Sequence, residues 1–176
     1  MKIDVLATQH DRRSFSCGVD ALDSYLRTKA GQHQQCAANQ TYVGTDDDGT
    51  LVGFVTVSVK TMRKDDAAPV LKRLPPQPLP VLLLARLGVE VSSQDRGYGT
   101  RLFRHVCRVA RQLRELVGCV GVFVDSKPEA VDWYKKLGFI RIGDPVADLT
   151  PMFLLFSRIP EEPSSSLLST PARDSP

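Results

Sequence analysis

Apolar positions fall into two rhythms along this chain. Leu22, Leu26 and Ala30 recur at helical spacing, which predicts a first helix over about Asp20 to Gln35. Ile3 to Leu6 reads as a short strand before it, and Ser16 to Asp20 as a turn with helix-capping potential. Thr41 to Thr45 and Leu51 to Val59 are β-rich runs on either side of Asp46-Asp47-Asp48-Gly49, and an Asp-Gly turn in that setting predicts a hairpin. Val81 to Val89 is nearly all apolar, as a strand covered on both faces would be.

A longer helical pattern occupies Gly97 to Val117, with Gly118 placed to end it. Leu102, Val106, Val109, Leu113 and Leu116 form one apolar stripe, predicted to pack on the core. Arg101, Arg104, Arg108, Arg111 and Arg114 lie on the opposite side. Val120 to Val124 reads as a strand. Lys127-Pro128 introduces a helix from about Glu129 to Leu137, closed by Gly138. Phe139 to Ile142 and Met152 to Ile159 predict the last two strands. Strands with three interleaved helices make an α/β domain, whose β–loop–α–β unit should cross right-handed.

Two stretches break the pattern. Met62 to Pro80 reads as a loop, because Pro69, Pro75, Pro76, Pro78 and Pro80 each lack a backbone donor. From Pro160 onward the chain is rich in Ser and Pro, so one domain over 1–159 and a disordered tail over 160–176 are expected. No internal repeat is present.

Composition narrows this only modestly. The 176 residues include 42% apolar side chains, enough for one ordinary core. A net charge of +3 does not by itself imply a nucleic-acid partner. The N-terminus lacks an apolar signal core and no run is long enough to span a membrane, so a soluble cytoplasmic protein is expected. Cys17, Cys36, Cys107 and Cys119 form no C-x-x-C pair, and His10, His33 and His105 are scattered. No metal-ligand spacing appears, and reduced thiols are expected.

The chemistry concentrates in Gln94-Asp95-Arg96-Gly97-Tyr98-Gly99, between the apolar strand and the long helix. A helix N-terminus offers unpaired N–H groups and partial positive charge to a phosphate, and glycines let it approach. A dinucleotide fingerprint would require a third glycine near the first strand, and a Walker A loop a Gly-Lys-Ser/Thr ending. Both are absent. The arginine series fits either a solvated face or a surface for RNA phosphates.

Gln94, Gly97 and Gly99 occupy the defined places of [Gln/Arg]-x-x-Gly-x-[Gly/Ala], which resembles the acetyl-CoA motif of GNAT N-acetyltransferases. Ala130-Val131-Asp132-Trp133-Tyr134 followed by Gly138-Phe139 is similar to that family's Ala-x-x-[Phe/Trp]-Tyr-x-x-x-Gly-Phe segment. Phe15-Ser16-Cys17-Gly18 with Leu22-Asp23 and Leu26, and Pro80 to Val89, resemble the branch of toxins that acetylate aminoacyl-tRNA. Gln40 departs from that branch, standing where many relatives carry arginine.

The resemblance covers about Val5 to Ser157. It implies the GNAT fold, a mixed, mostly antiparallel sheet flanked by helices. It implies acetyl-CoA bound by Leu87, Gly88, Val89, Gln94, Arg96, Gly97, Tyr98, Gly99 and Thr100, with Tyr134 as general acid. Trp133 would serve packing. Glu90 is the nearest carboxylate for a base, at the strand end. tRNA would lie on Arg101, Arg104, Arg108 and Arg111. A small antitoxin of the ribbon-helix-helix type and a homodimer are also implied. Rival readings are a GNAT enzyme for a small-molecule or peptide amine, and a non-catalytic acetyl-CoA-binding module.

Overall fold

The computed structural model describes residues 1–63 and 78–159. The expected proline loop over Pro69, Pro75 and Pro76 and the expected tail from Pro160 lie outside the described residues. Seven strands form one sheet: β1 (Lys2–Val5), β2 (Gln40–Thr45), β3 (Leu51–Met62), β4 (Leu79–Val89), β5 (Gly121–Ser126), β6 (Ile140–Arg141) and β7 (Thr150–Leu155). Their order is β1-β2-β3-β4-β5-β7-β6. Among the described residues only the β4–β5 pair is parallel, and α3 (Tyr98–Val117) makes the crossover between them.

Strand alternation divides the core into two layers. Val55, Val57, Leu82, Leu84, Val122, Val124, Met152 and Leu154 pack with Leu102, Phe103, Val106 and Ala110 of α3. Tyr134 on α4 (Val131–Lys136) and Phe139 after it join that layer. On the other face Val43 and Phe54 meet Phe15, Tyr25, Leu26 and Ala30 from the N-terminal helices. Further along that face, Val81, Phe123 and Phe153 cluster with Met62 and Leu79.

Several expectations need correction. The first helix is two, α1 (Asp20–Thr28) and α2 (Ala30–Gln35), with Lys29 between them. This gives four α-helices among the described residues, not three. The break lets α2 reach the sheet, where Gln34 donates to the Leu6 carbonyl at 2.8 Å and accepts from the Thr41 amide at 3.2 Å. The expected loop is shorter at both ends: Thr61 and Met62 pair with Pro80 and Leu79. Pro80 has no amide to donate, and its carbonyl accepts from the Val120 amide at 2.9 Å. The Met152–Ile159 strand stops at Leu155, and Phe156–Arg158 form a 3-10 turn. β6 is limited to two residues because Phe139 still caps α4, donating to the Tyr134 carbonyl at 3.1 Å. Leu116 leaves the predicted stripe and is 79% exposed, because the 20-residue α3 extends past the sheet it covers.

Candidate active site

The site begins with a fault in the β-ladder. Thr56 of β3 faces Arg86 but Val57 faces Leu84, so Ala85 is an extra residue on β4. Such a bulge bends its strand. The β4–β5 pairing is confined to Leu82 with Val122 and Leu83 with Phe123, and beyond these the strands part. Two cavities occupy the opening. One, of 590 Å³, lies between Leu83–Leu87 of β4 and Val124–Lys127 at the end of β5. The other, of 570 Å³, is walled by Leu87, Val89, Gln94, Asp95, Gly97–Thr100 and Trp133. Leu87, Glu129, Ala130 and Tyr134 belong to both, so Tyr134 stands where the cavities meet.

The turn before α3 is built from unusual backbone. Val91–Ser93 make a 3-10 turn that the sequence pattern did not reveal. Asp95 and Gly97 then adopt left-handed conformations, with φ of 58° and 79°. A Cβ on Gly97 would meet nothing within 4 Å, so glycine is required there by conformation. Arg101 is the first amide to close a helical bond, onto the Gly97 carbonyl at 3.1 Å. The amides of Tyr98, Gly99 and Thr100 have no backbone acceptor among the described residues. No acidic residue lies in this first turn. Free amides at the positive end of a long helix, beside an open cavity, suit a phosphate group. Volumes near 600 Å³ are also within the ordinary range of small-ligand sites, about 300–1,000 Å³.

The Phe15–Leu26 segment supports this turn from behind. Gln94 donates from Nε2 to the carbonyls of Val89 and Cys17, both at 3.2 Å. Val91 donates to the Ser16 carbonyl at 2.9 Å. Asp23 is buried and accepts from the Cys17 amide at 2.8 Å and the Ser16 hydroxyl at 2.9 Å. Burial pushes the Asp23 carboxyl up, but these hydrogen bonds outweigh it and hold it below the usual carboxylate range. The Cys17 thiol is pushed up to about 11, by burial and then by Asp23. Gly88 is needed for contact: a Cβ there would lie 2.9 Å from Phe54 and 3.3 Å from the Cys17 sulfur.

Tyr134 is buried among Trp133 and Phe139, with ring centroids 4.9 and 5.2 Å away. Burial raises its phenol pKa well above the ordinary value, so the hydroxyl stays protonated at neutral pH. That hydroxyl has no hydrogen-bond partner among the described residues, which leaves its proton available to a group in either cavity.

The remaining sequence candidates separate. Tyr98, Gly99 and Thr100 line the second cavity with Leu87 and Val89, whereas Gly88 packs behind the strand and exposed Arg96 is not among the walls. Glu90 turns away, accepting from the Ser92 hydroxyl at 2.5 Å, and lines neither cavity. On the outer face of α3, Arg101 donates to the Met1 carbonyl at 3.1 Å and Arg111 to that of Ile159 at 3.5 Å. Arg114 lies over the Phe156 ring, 4.9 Å from its centroid. Arg104 and Arg108 are exposed. Sequence reasoning missed Arg86, Asp125, Lys127 and Glu129 on the first cavity. Asp125, Lys127 and Glu129 were marked only by lying at or just past the end of β5, and Arg86 lay inside the Pro80 to Val89 segment, which marked the strand but not the role of that side chain.

The sequence model of the Acetyltransferase (GNAT) family matches residues 7–139. The chain belongs to this family. It is also 34% identical over 138 residues to the tRNA-acetylating toxin of Mycobacterium tuberculosis (strain ATCC 25618 / H37Rv), spanning 77% of this chain and 82% of that protein. A crystallised KacT mutant is 27% identical with a TM-score of 0.79, over 89% of this chain and 95% of that one. AtaT in complex with acetyl-methionyl-tRNAfMet shares the fold at a TM-score of 0.80 and 24% identity, over 89% and 95%. A mutant AtaT bound to acetyl-CoA and the C-terminus of the antitoxin AtaR shares it at 0.73 and 22%, over 89% and 93%. The GNAT fold of this acetyltransferase is therefore the seven-stranded, mostly antiparallel sheet described above. Among the described residues no helix is long and apolar enough to cross a membrane.

Proposed function

We propose that this acetyltransferase moves the acetyl group of acetyl-CoA onto the α-amine of an aminoacyl-tRNA and thereby acts as a toxin that stops translation. The observation that carries the reading is the protonated Tyr134 hydroxyl at the junction of two cavities. One cavity has a phosphate-binding helix terminus and the other is free for an acceptor.

When bound, acetyl-CoA supplies an acetyl thioester whose departing thiolate needs a proton. The amides of Tyr98, Gly99 and Thr100 hold the pyrophosphate, with the Gly97 turn keeping the approach open. Exposed Arg96 adds long-range positive charge. The edge of β4 from Leu87 to Val89, freed from β5, receives the pantetheine amides. Gln94 acts from behind, locking the turn to Cys17 and Val89. Tyr134 holds its proton at Oη and gives it to the sulfur as the C–S bond breaks.

None of the cavity carboxylates needs to act as base. A free α-amine has a pKa of about 7.7–8.0, and an ester neighbour lowers it further. The acceptor therefore enters largely neutral and gives up one N–H proton to water after attack, and water returns a proton to Tyr134. A lysine side chain, near 10.4, would first require a base to deprotonate it.

The toxin reading also brings partners. A small antitoxin, expected to be of the ribbon-helix-helix type, would neutralise the protein, which would act in the cytoplasm as a homodimer with one domain over 1–159. The test is direct. Purified protein is incubated with labelled acetyl-CoA and total charged tRNA, and acetylated aminoacyl ends are identified by mass. Label in free amines or peptides instead, with none in tRNA, would replace this reading.

A further inference from the structure

Arg86 has no part in the chemistry above, yet it is the most constrained cation in the acceptor cavity. It follows the Ala85 bulge on β4 and lines the 590 Å³ cavity with Leu87 and Tyr134. Its guanidinium carbon lies 3.8 Å from the centroid of the Tyr25 ring. Tyr25 is itself buried, and its hydroxyl accepts from Asn39 Nδ2 at 3.1 Å. The ring is thus a fixed platform, and stacking holds the guanidinium plane on it.

Stacking occupies the face of a guanidinium and leaves its in-plane N–H donors free. Among the described residues no carboxylate reaches Arg86 within ion-pair distance. Asp125, on the opposite wall, is instead paired with Lys60 at 3.6 Å. Half-buried on the cavity wall and without an acid, Arg86 keeps a planar fork of donors for an anion that enters there. That geometry matches phosphate or carboxylate oxygens. Lys127 adds a second cation on the far wall.

The two chemistries imply different acceptors. A free amino acid has its carboxylate beside the amine. In an aminoacyl-tRNA that carboxylate is esterified, so the nearest anion is the phosphodiester joining the last two nucleotides. We propose that Arg86, fixed on Tyr25, binds this terminal phosphodiester and so registers the aminoacyl amine against Tyr134. The proposal rests on the aminoacyl-tRNA reading and makes Arg86 a positioning residue. The alternative is not supplied by Gln40, which is taken up by Gln34 at 2.9 Å.

The experiment compares two acceptor mimics, a 3′-aminoacyl-adenosine and the same molecule extended by a 5′ cytidylyl group. Only the second contains the phosphodiester. Each carries the amino acid identified with total charged tRNA. In the unaltered protein kcat/KM is expected to favour the extended mimic by about tenfold or more, the worth of one charged hydrogen-bond pair. Arg86→Gln should bring that ratio close to one, through KM, and Arg86→Lys should keep part of it. A merely structural role lowers both rates together and leaves the ratio unchanged, which would overturn the proposal. A ratio of one in the unaltered protein would also overturn it, as would selective loss of free amino-acid acetylation in Arg86→Gln. Failure of the functional reading looks different, because the unaltered protein would then acetylate neither mimic nor charged tRNA.

Discussion

At the residue scale, Tyr134 allows two checks. Tyr134→Phe removes one oxygen and keeps the ring between Trp133 and Phe139, so acetyl-CoA affinity by calorimetry should be retained. The turnover rate should fall by about 10²–10⁴, the usual worth of a positioned acid. The pH profile follows from the sign of the shift. The active form is the protonated phenol, and burial raises its pKa. Below about pH 10 the kcat profile should therefore show no falling limb from Tyr134, only a rising limb set by the acceptor amine. The thiols provide a third check. Cys17, Cys107 and Cys119 are buried and Cys36 is exposed. Burial raises Cys17 and Cys119 further from thiolate. Mass spectrometry after brief alkylation of the folded protein should find the label on Cys36 first.

Elements show how an N-terminal turn comes to serve a site built far along the chain. Asp23 braces Ser16 and Cys17, which in turn hold Val91 and Gln94. An Asn at this position could accept at only one oxygen, so Asp23→Asn should cost about 1–3 kcal/mol and weaken acetyl-CoA binding as well. The folded carboxyl titrates below its unfolded value. Its stabilisation is therefore present above about pH 4 and lost as pH falls through the folded pKa. The difference in melting temperature between the two proteins should be open at pH 7 and close in acid. This linkage also shows what was legible in the sequence. The Asp-Gly hairpin, the glycine turn and the Gly118 helix end are local, and short windows announced them. The Phe15–Leu26 signature was visible as a motif, but its purpose was not, because Cys17 and Gln94 are brought together only by the sheet. The Ala85 bulge, the break at Lys29 and the Arg86–Tyr25 stack are set by tertiary contacts. No periodicity encodes them.

On the scale of the molecule, α3 links the cofactor turn at its start to a row of arginines along its back. The sequence presented that row as five equal cations, and the fold makes them unequal. Arg101 and Arg111 hold backbone carbonyls of Met1 and Ile159, and Arg114 covers Phe156, so these three also fasten the chain ends to the helix. Charge reversal there should lower stability as well as any RNA affinity. Arg104 and Arg108 are exposed, with Arg108 also 3.4 Å from Nδ1 of His105 on the same helix, and they are the better test of an RNA surface. Each phosphate neutralised contributes about 0.7–0.9 to the slope of log affinity against log salt. Charged-tRNA binding should therefore weaken steeply between low and physiological salt. In the pair Arg104→Glu and Arg108→Glu, both the affinity and the salt slope should fall, the slope by one to two contacts' worth. Calorimetric binding of acetyl-CoA serves as the folding control, since neither side chain lines its cavity. An unchanged slope would make this face merely solvated and leave tRNA recognition to the cleft. There Arg86 and Lys127 are the cations in place, and the predicted slope would shrink to the one or two phosphates nearest the acceptor end.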